Sequence, residues 1–185
     1  MRGKLPILIT ALVLVVLVLV AGARFENFFR LPVFVNLLSD NAFLGVVAVG
    51  LTFVILTGGI DLSVGSVVGL SSIFIAKGVG TWGLHPVVVF VATLSIGAVI
   101  GLRHGLLIAK RGLPPFLVTL AGLFLCRGLA LNLSQASVQI NHPTFETLSK
   151  WSFALPGKAF LTLPGIVFVL IVIGMAIVAK QTRFG

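Results

Sequence analysis

What most constrains this chain is the recurrence of apolar runs long enough to cross a bilayer. A hydrocarbon core of about 30 Å takes roughly 20 residues of helix, and fewer where the bilayer thins or the flanking side chains snorkel. Six runs approach that length: Leu5–Ala23, Ala42–Thr57, Leu62–Val79, Pro86–Leu102, Pro115–Leu133 and Leu163–Ala179. Against lipid the backbone must satisfy its own hydrogen bonds, so each run is expected to be helical, or shielded by its neighbours where it breaks. The expected fold is an all-α integral membrane protein, one transmembrane domain over residues 1–185 with about six transmembrane helices and a Gly-Gly break between the second and third.

Charge sets the expected orientation. Thirteen Lys and Arg stand against four acids, Glu26, Asp40, Asp61 and Glu146, in a chain that is 58% hydrophobic and only 9% charged. A soluble domain carries about 25% charged residues, so a soluble enzyme is excluded. The basic residues flank the apolar runs instead of covering one face, which reads as topology signalling and not as a nucleic-acid surface. Arg2 and Lys4 precede the first run, Arg103, Lys110 and Arg111 lie between the fourth and fifth, and Lys180 and Arg183 follow the sixth. Six crossings put all three clusters, and both termini, in the cytoplasm. The polar stretch Ser134–Thr162 and the loop with Trp82 then fall outside, with Trp82 and Trp151 as anchors at the outer interface. Arg24, Arg30 and Lys77 dissent from this pattern. The first run also has the outline of a signal peptide ending in Ala21-Gly22-Ala23, but its length favours a retained span.

The stretch Leu56-Thr57-Gly58-Gly59-Ile60-Asp61-Leu62-Ser63 separates two runs that are each short for a full span. Gly58 and Gly59 permit a sharp reversal. Asp61 and Ser63 are candidate N-caps for the helix that follows, their oxygens accepting from its exposed N–H groups. Two readings stay open: a tight turn at the membrane surface, or a discontinuous helix beside a solute pathway. Thr57, Gly58, Gly59, Asp61 and Ser63 are therefore candidate pathway or helix-break residues. Arg127, well inside the fifth run, either snorkels outwards or lines a polar cavity. Gly65 and Gly69, with Gly97, Gly101 and Gly105, place small residues at four-residue spacing and predict close helix packing.

No catalytic or metal-binding pattern is present in the sequence. Cys126 is the only cysteine, and His85, His104 and His142 are far apart and read as loop or span-end residues. Gly3-Lys4 and Gly157-Lys158 lack the rest of a phosphate-binding loop, so the chain itself is expected to carry no nucleotide or other cofactor.

Ala48-Val49-Gly50-Leu51-Thr52-Phe53-Val54-Ile55-Leu56-Thr57-Gly58-Gly59-Ile60-Asp61-Leu62-Ser63-Val64-Gly65-Ser66 closely resembles the signature stretch of the ribose and galactofuranose type of sugar ABC permease. Pro114-Pro115-Phe116-Leu117-Val118-Thr119-Leu120-Ala121-Gly122 with Arg127-Gly128 resembles its second hallmark, and Thr182-Arg183-Phe184-Gly185 its third. Asp40-Asn41-Ala42-Phe43-Leu44-Gly45 and Ile140-Asn141-His142-Pro143 are most similar to the galactofuranose branch. The resemblance implies a permease subunit of a bacterial inner membrane that moves a monosaccharide such as galactofuranose or ribose. It implies as partners a second permease subunit or a copy of itself, a periplasmic sugar-binding protein, and a cytoplasmic ATPase subunit that binds the ATP. At Arg103-His104-Gly105 the family more often has uncharged residues. Family members also continue past Thr182–Gly185 into an ATPase-docking loop and further spans. Rival expectations are thus a truncated, transport-inactive fragment, or a small passive channel or assembly protein.

Overall fold

The computed structural model describes residues 5–156 and 159–181. Arg2, Lys4, Lys158, Arg183 and the stretch Thr182-Arg183-Phe184-Gly185 lie outside the described residues. The order of elements is α1 (Leu5–Arg24), α2 (Leu31–Asp40), α3 (Ala42–Leu56), α4 (Val64–Gly80), α5 (Pro86–Arg111), α6 (Pro115–Leu133), α7 (Pro143–Lys150), β1 (Ser152–Leu155), β2 (Ala159–Thr162) and α8 (Leu163–Gln181). The protein is an all-α integral membrane protein apart from this one hairpin. All six apolar runs lie in helices. Four of these, α1, α5, α6 and α8, are long and apolar enough to cross a membrane, and α2 with α3 forms a pair bent by 63° that would supply a fifth span. The remaining run, Leu62–Val79, is the shorter apolar helix α4.

Local chemistry sets the helix ends. Pro86, Pro115 and Pro143 open α5, α6 and α7 at positions whose N–H would have no partner in any case. His85 and His142 cap α5 and α7, their Nδ1 atoms accepting from the N–H groups of Val87 at 3.3 Å and Thr144 at 3.2 Å. Gly112, at φ +65°, ends α5 in the left-handed conformation that glycine adopts without a Cβ penalty. Helix α5 is 26 residues long, about 39 Å at 1.5 Å per residue, so it continues through Arg103 and His104 to Arg111. The sequence reading of a loop around these residues is corrected accordingly. The loop shrinks to Gly112–Pro114, because Leu106, Leu107 and Ile108 sustain the helix and only Gly112 stops it.

Helix α4 packs chiefly on α6 and α5. At their contact Leu70, Cys126 and Ala130 are buried among Val67, Ile73, Ile96, Ile100 and Leu133. A second group joins α2, α3, α8 and the hairpin. The hairpin pairs Ser152 with Thr162 and Leu155 with Ala159. It lies on α2, where the Ser39 hydroxyl accepts from the Thr162 N–H at 3.4 Å. Phe168 of α8 lies over Gly45 of α3, a site with no room for a side chain.

These contacts define two ends of the bundle. At the hairpin end, Gly80 at the end of α4 meets the Gln139 carbonyl, and Phe90 near the start of α5 stacks on Phe145 of α7 at 5.5 Å. The opposite, basic end carries Lys110 and Arg111 in the last turn of α5.

The bend between α2 and α3 was not anticipated from the sequence. It falls at Ser39-Asp40-Asn41, three residues whose side chains compete with the helix for backbone hydrogen bonds. The Asn41 amide donates to the Leu37 carbonyl at 2.9 Å and holds the last turn of α2 closed.

The glycine face predicted for close packing needs correction. A Cβ added at Gly65, Gly69, Gly97, Gly101 or Gly105 would meet nothing within 4 Å. The helices of this chain do not press on these positions, because α4, α5 and α6 meet through Leu70, Cys126 and Ala130. The crowded glycines are others, among them Gly45, Gly78 and Gly122.

Candidate functional site

The segment from Thr57 to Ser63 is a folded junction and not a loose turn. Helix α3 ends when Gly58 takes φ +74°. In that conformation the Gly58 N–H donates to the Ile55 carbonyl at 2.9 Å and the Gly59 N–H to the Val54 carbonyl at 3.0 Å. The Thr57 hydroxyl closes the same turn on Val54 at 2.8 Å. Two carbonyls that a helix end would leave bare, those of Val54 and Ile55, are thereby engaged.

The start of α4 is held by Asp61. Its Oδ1 accepts from the Ser63 N–H at 2.8 Å and from the Ser63 hydroxyl at 2.6 Å. Asp61 thus ties down Ser63, the residue just before α4, and accepts from none of the helix's own N–H groups. Ser63 does not fulfil its own expected role. It occupies the N-cap position with helical backbone angles and makes no side-chain cap bond, because its hydroxyl already donates to Asp61. It is 2% exposed, among the most deeply buried side chains of the protein. Ser66 adds a further clasp, its hydroxyl donating to the Ser63 carbonyl at 2.6 Å.

Helix α6 fixes the junction from the other side. The Thr119 hydroxyl, already bonded to the Pro115 carbonyl at 2.8 Å, lies 3.2 Å from the Ile60 carbonyl. One turn further on, Gly122 leaves space that the His104 ring of α5 and the Cβ of Ser63 occupy from two sides. Three segments distant in sequence therefore converge: the Asp61–Ser63 junction, His104, and Thr119 with Gly122. Thr119 and Gly122 lie four and seven residues beyond the first residue of α6, about 6 and 10 Å along it. His104 stands seven residues before the end of α5, again about 10 Å. The junction is thus recessed below the tip of the α5–α6 hairpin, and it is lined by the bundle's own helices.

A cavity of about 370 Å³ opens from this point between α3, α4 and α5. Asp61, Ser63 and His104 form its polar part, and Gly50, Gly97 and Gly101 lie on its two walls. Gly97 and Gly101, read from the sequence as packing positions, border open space here.

Arg127 sits apart from this cluster. It is exposed on α6 and borders a groove with Leu62, Gly65, Ser66, Gly69, Leu123 and Ala130. Helical side chains lean towards the N-terminus of their helix, which for Arg127 is the basic end and away from the nearer hairpin end. No carboxylate lies within ion-pair distance of it among the described residues, where the sole ion pair is Glu146 with Lys150 at 3.6 Å. Sequence reasoning singled out Thr57, Gly58, Gly59, Asp61, Ser63 and Arg127, but not His104, Thr119 and Gly122, which the structure brings to Asp61 and Ser63. The signal for His104 was an imidazole between the apolar run that ends at Leu102 and the apolar Leu106-Leu107-Ile108. Among the described residues no group of His, Cys, Asp and Glu could hold a metal ion.

Comparison with known proteins matches residues 33–185 to the model of the family described as branched-chain amino acid transport system / permease component. The inner membrane ABC transporter permease protein YjfF of Escherichia coli is 43% identical over 184 residues, which cover 100% of this chain and 56% of that protein. The ribose import permease protein RbsC of Bacillus subtilis is 36% identical, covering 93% of this chain and 52% of its own length. The fructose import permease protein FruG of Bifidobacterium longum is 37% identical, covering 82% and 43% respectively. The chain spans about half the length of the curated relatives it matches. No solved structure matches it.

Proposed function

The chain belongs to the branched-chain amino acid transport system permease component family, and from that premise we propose that it forms part of the membrane permease of an ATP-driven sugar importer. The observation that carries the reading is the sequence likeness to permeases named for ribose and fructose import over most of this chain. The recessed junction around Asp61 supports it, since transporters place interrupted helices where a solute passes. The permease lies in a bacterial inner membrane with the basic end of the bundle, and the N-terminus, in the cytoplasm. A cytoplasmic ATPase subunit supplies the energy. A periplasmic binding protein delivers the sugar, and a second permease subunit or a copy of this one completes the pathway. The solute is a monosaccharide of the pentose or hexose class, galactofuranose and ribose among the candidates.

The test is uptake of labelled pentoses and hexoses by cells that supply the ATPase and the binding protein but lack their own permease. Expression of the polypeptide that carries residues 1–185 is expected to restore ATP-dependent accumulation of one of them. Accumulation of branched-chain amino acids instead of any sugar would refute the proposal.

A further inference from the structure

We propose that the cavity between α3, α4 and α5 is a binding site for an uncharged, hydroxyl-rich ring of pentose or hexose size, held by Asp61 and His104. The inference rests on the sugar-permease reading and adds to it the place of binding and the groups that bind. At about 370 Å³ the cavity falls within the usual range for small-molecule sites, about 300 to 1,000 Å³. Its composition also fits that class, with apolar walls from Val54 and Val67 and a few polar groups converging at one end.

The polar end has unused capacity of the right kind. Asp61 spends Oδ1 on Ser63, and its Oδ2 accepts from no protein donor among the described residues. The His104 imidazole likewise has no hydrogen-bond partner among them, although it is half-buried and fixed against Gly122. A carboxylate oxygen accepts only, whereas a neutral imidazole both donates and accepts. Neighbouring hydroxyls on one ring can satisfy both groups at once.

The glycines distinguish this site from a surface awaiting another helix. A helix-packing stripe lies along one helix and faces outwards. Here Gly50 on α3 and Gly97 and Gly101 on α5 line the same space from its two walls, and a Cβ at any of them would meet nothing. Their missing side chains therefore widen an open groove between helices of this chain.

Cysteine accessibility in the full-length polypeptide tests the proposal without requiring transport. In a Cys126→Ala background, Gly101→Cys and, on the opposite wall, Gly50→Cys are placed in inverted membrane vesicles and treated with a charged, membrane-impermeant thiol reagent. Both positions are expected to react, because the cavity is wet. Saturating amounts of one sugar from a panel of ribose, xylose, fructose and galactose should slow the reaction. His104→Leu, added to either variant, should raise the sugar concentration needed for half-maximal protection, relative to that variant's own unprotected rate, by about tenfold, the loss of one hydrogen bond. Failure of both cysteines to react would overturn the proposal. So would reaction that no sugar slows, or that only a cationic amine slows. Protection reads binding alone and uptake reads transport. Sugar uptake without protection therefore refutes the cavity and leaves the permease reading in place, and amino acid uptake with no sugar protection refutes both.

Discussion

Asp61→Leu is the substitution from which the junction has most to lose. Two donors on one buried residue, the Ser63 N–H at 2.8 Å and its hydroxyl at 2.6 Å, depend on a single carboxylate oxygen. Ser63 is 2% exposed, so water cannot replace the lost acceptor. A hydrogen bond to a charged group contributes about 1.5 to 3 kcal/mol, and helix caps alone are worth about 1 kcal/mol. The two bonds share an acceptor and do not simply add. Their joint loss is expected to destabilise the protein by about 3 kcal/mol.

Asp61→Asn keeps a carbonyl oxygen at the same place and should cost only about 1 kcal/mol, the difference between a charged and a neutral acceptor. Ser63→Ala deletes the hydroxyl and spares the N–H, so it reports its own share. The assay is denaturant unfolding in mixed micelles followed by circular dichroism, run as a double-mutant cycle between positions 61 and 63. A positive coupling of about 1 kcal/mol is expected. An Asp61→Leu protein within about 0.5 kcal/mol of the parent, the range of ordinary surface substitutions, would refute the claim that Asp61 holds the start of α4.

Gly58→Ala places a side chain at φ +74° and should cost about 1 to 2 kcal/mol in the same unfolding assay, whereas Gly65→Ala, in open space on a helix, should not destabilise. Gly122→Ala drives a methyl group into the His104 ring and the Ser63 Cβ and should destabilise by about 1 to 3 kcal/mol; His104→Ala in the same chain is expected to recover part of that loss. In a Cys126→Ala background, Lys110→Cys should react with an impermeant reagent only from the cytoplasmic side and Phe145→Cys only from the outside, as the proposed orientation requires. The reverse pattern at either position would refute that orientation.

The helices were legible in the sequence because the bilayer allows few alternatives to them. A run such as Leu163–Ala179 has no polar group with which to build anything else, and it forms the body of α8. What lay outside the apolar runs was harder to read. Leu31–Asp40 is apolar but only 10 residues long and opens with Leu-Pro, so it passed as a connection, although Pro at that point favours the start of a helix. The hairpin Ser152–Thr162 owes its place to α2, through a contact between Ser39 and Thr162 that spans more than a hundred residues and leaves no local trace. The site divides in the same way. Asp61 and the paired glycines are local signals that the sequence shows directly, whereas Gly122 becomes meaningful only when α5 is known to carry His104 to it.

The depth of the junction bears on the two readings of the break. A surface turn should lie level with the other turn at its end of the bundle, the α5–α6 tip at Gly112–Pro114. Instead the contacts of Ile60 with Thr119, and of Ser63 and His104 with Gly122, place it about 6 to 10 Å back along both helices. Helix α4, at 17 residues, is about 25 Å long and reaches the hairpin end from that recessed start. Helix α3, at 15 residues, is shorter still. The shortness of these two helices and the recess of their junction are thus one fact. A turn between two helix ends carries backbone groups that have no partner within either helix. That accounts for the density of internal hydrogen bonds from Thr57 to Ser66. Asp61 serves the same need: it answers the donors of Ser63 with one oxygen and borders the open cavity between α3, α4 and α5.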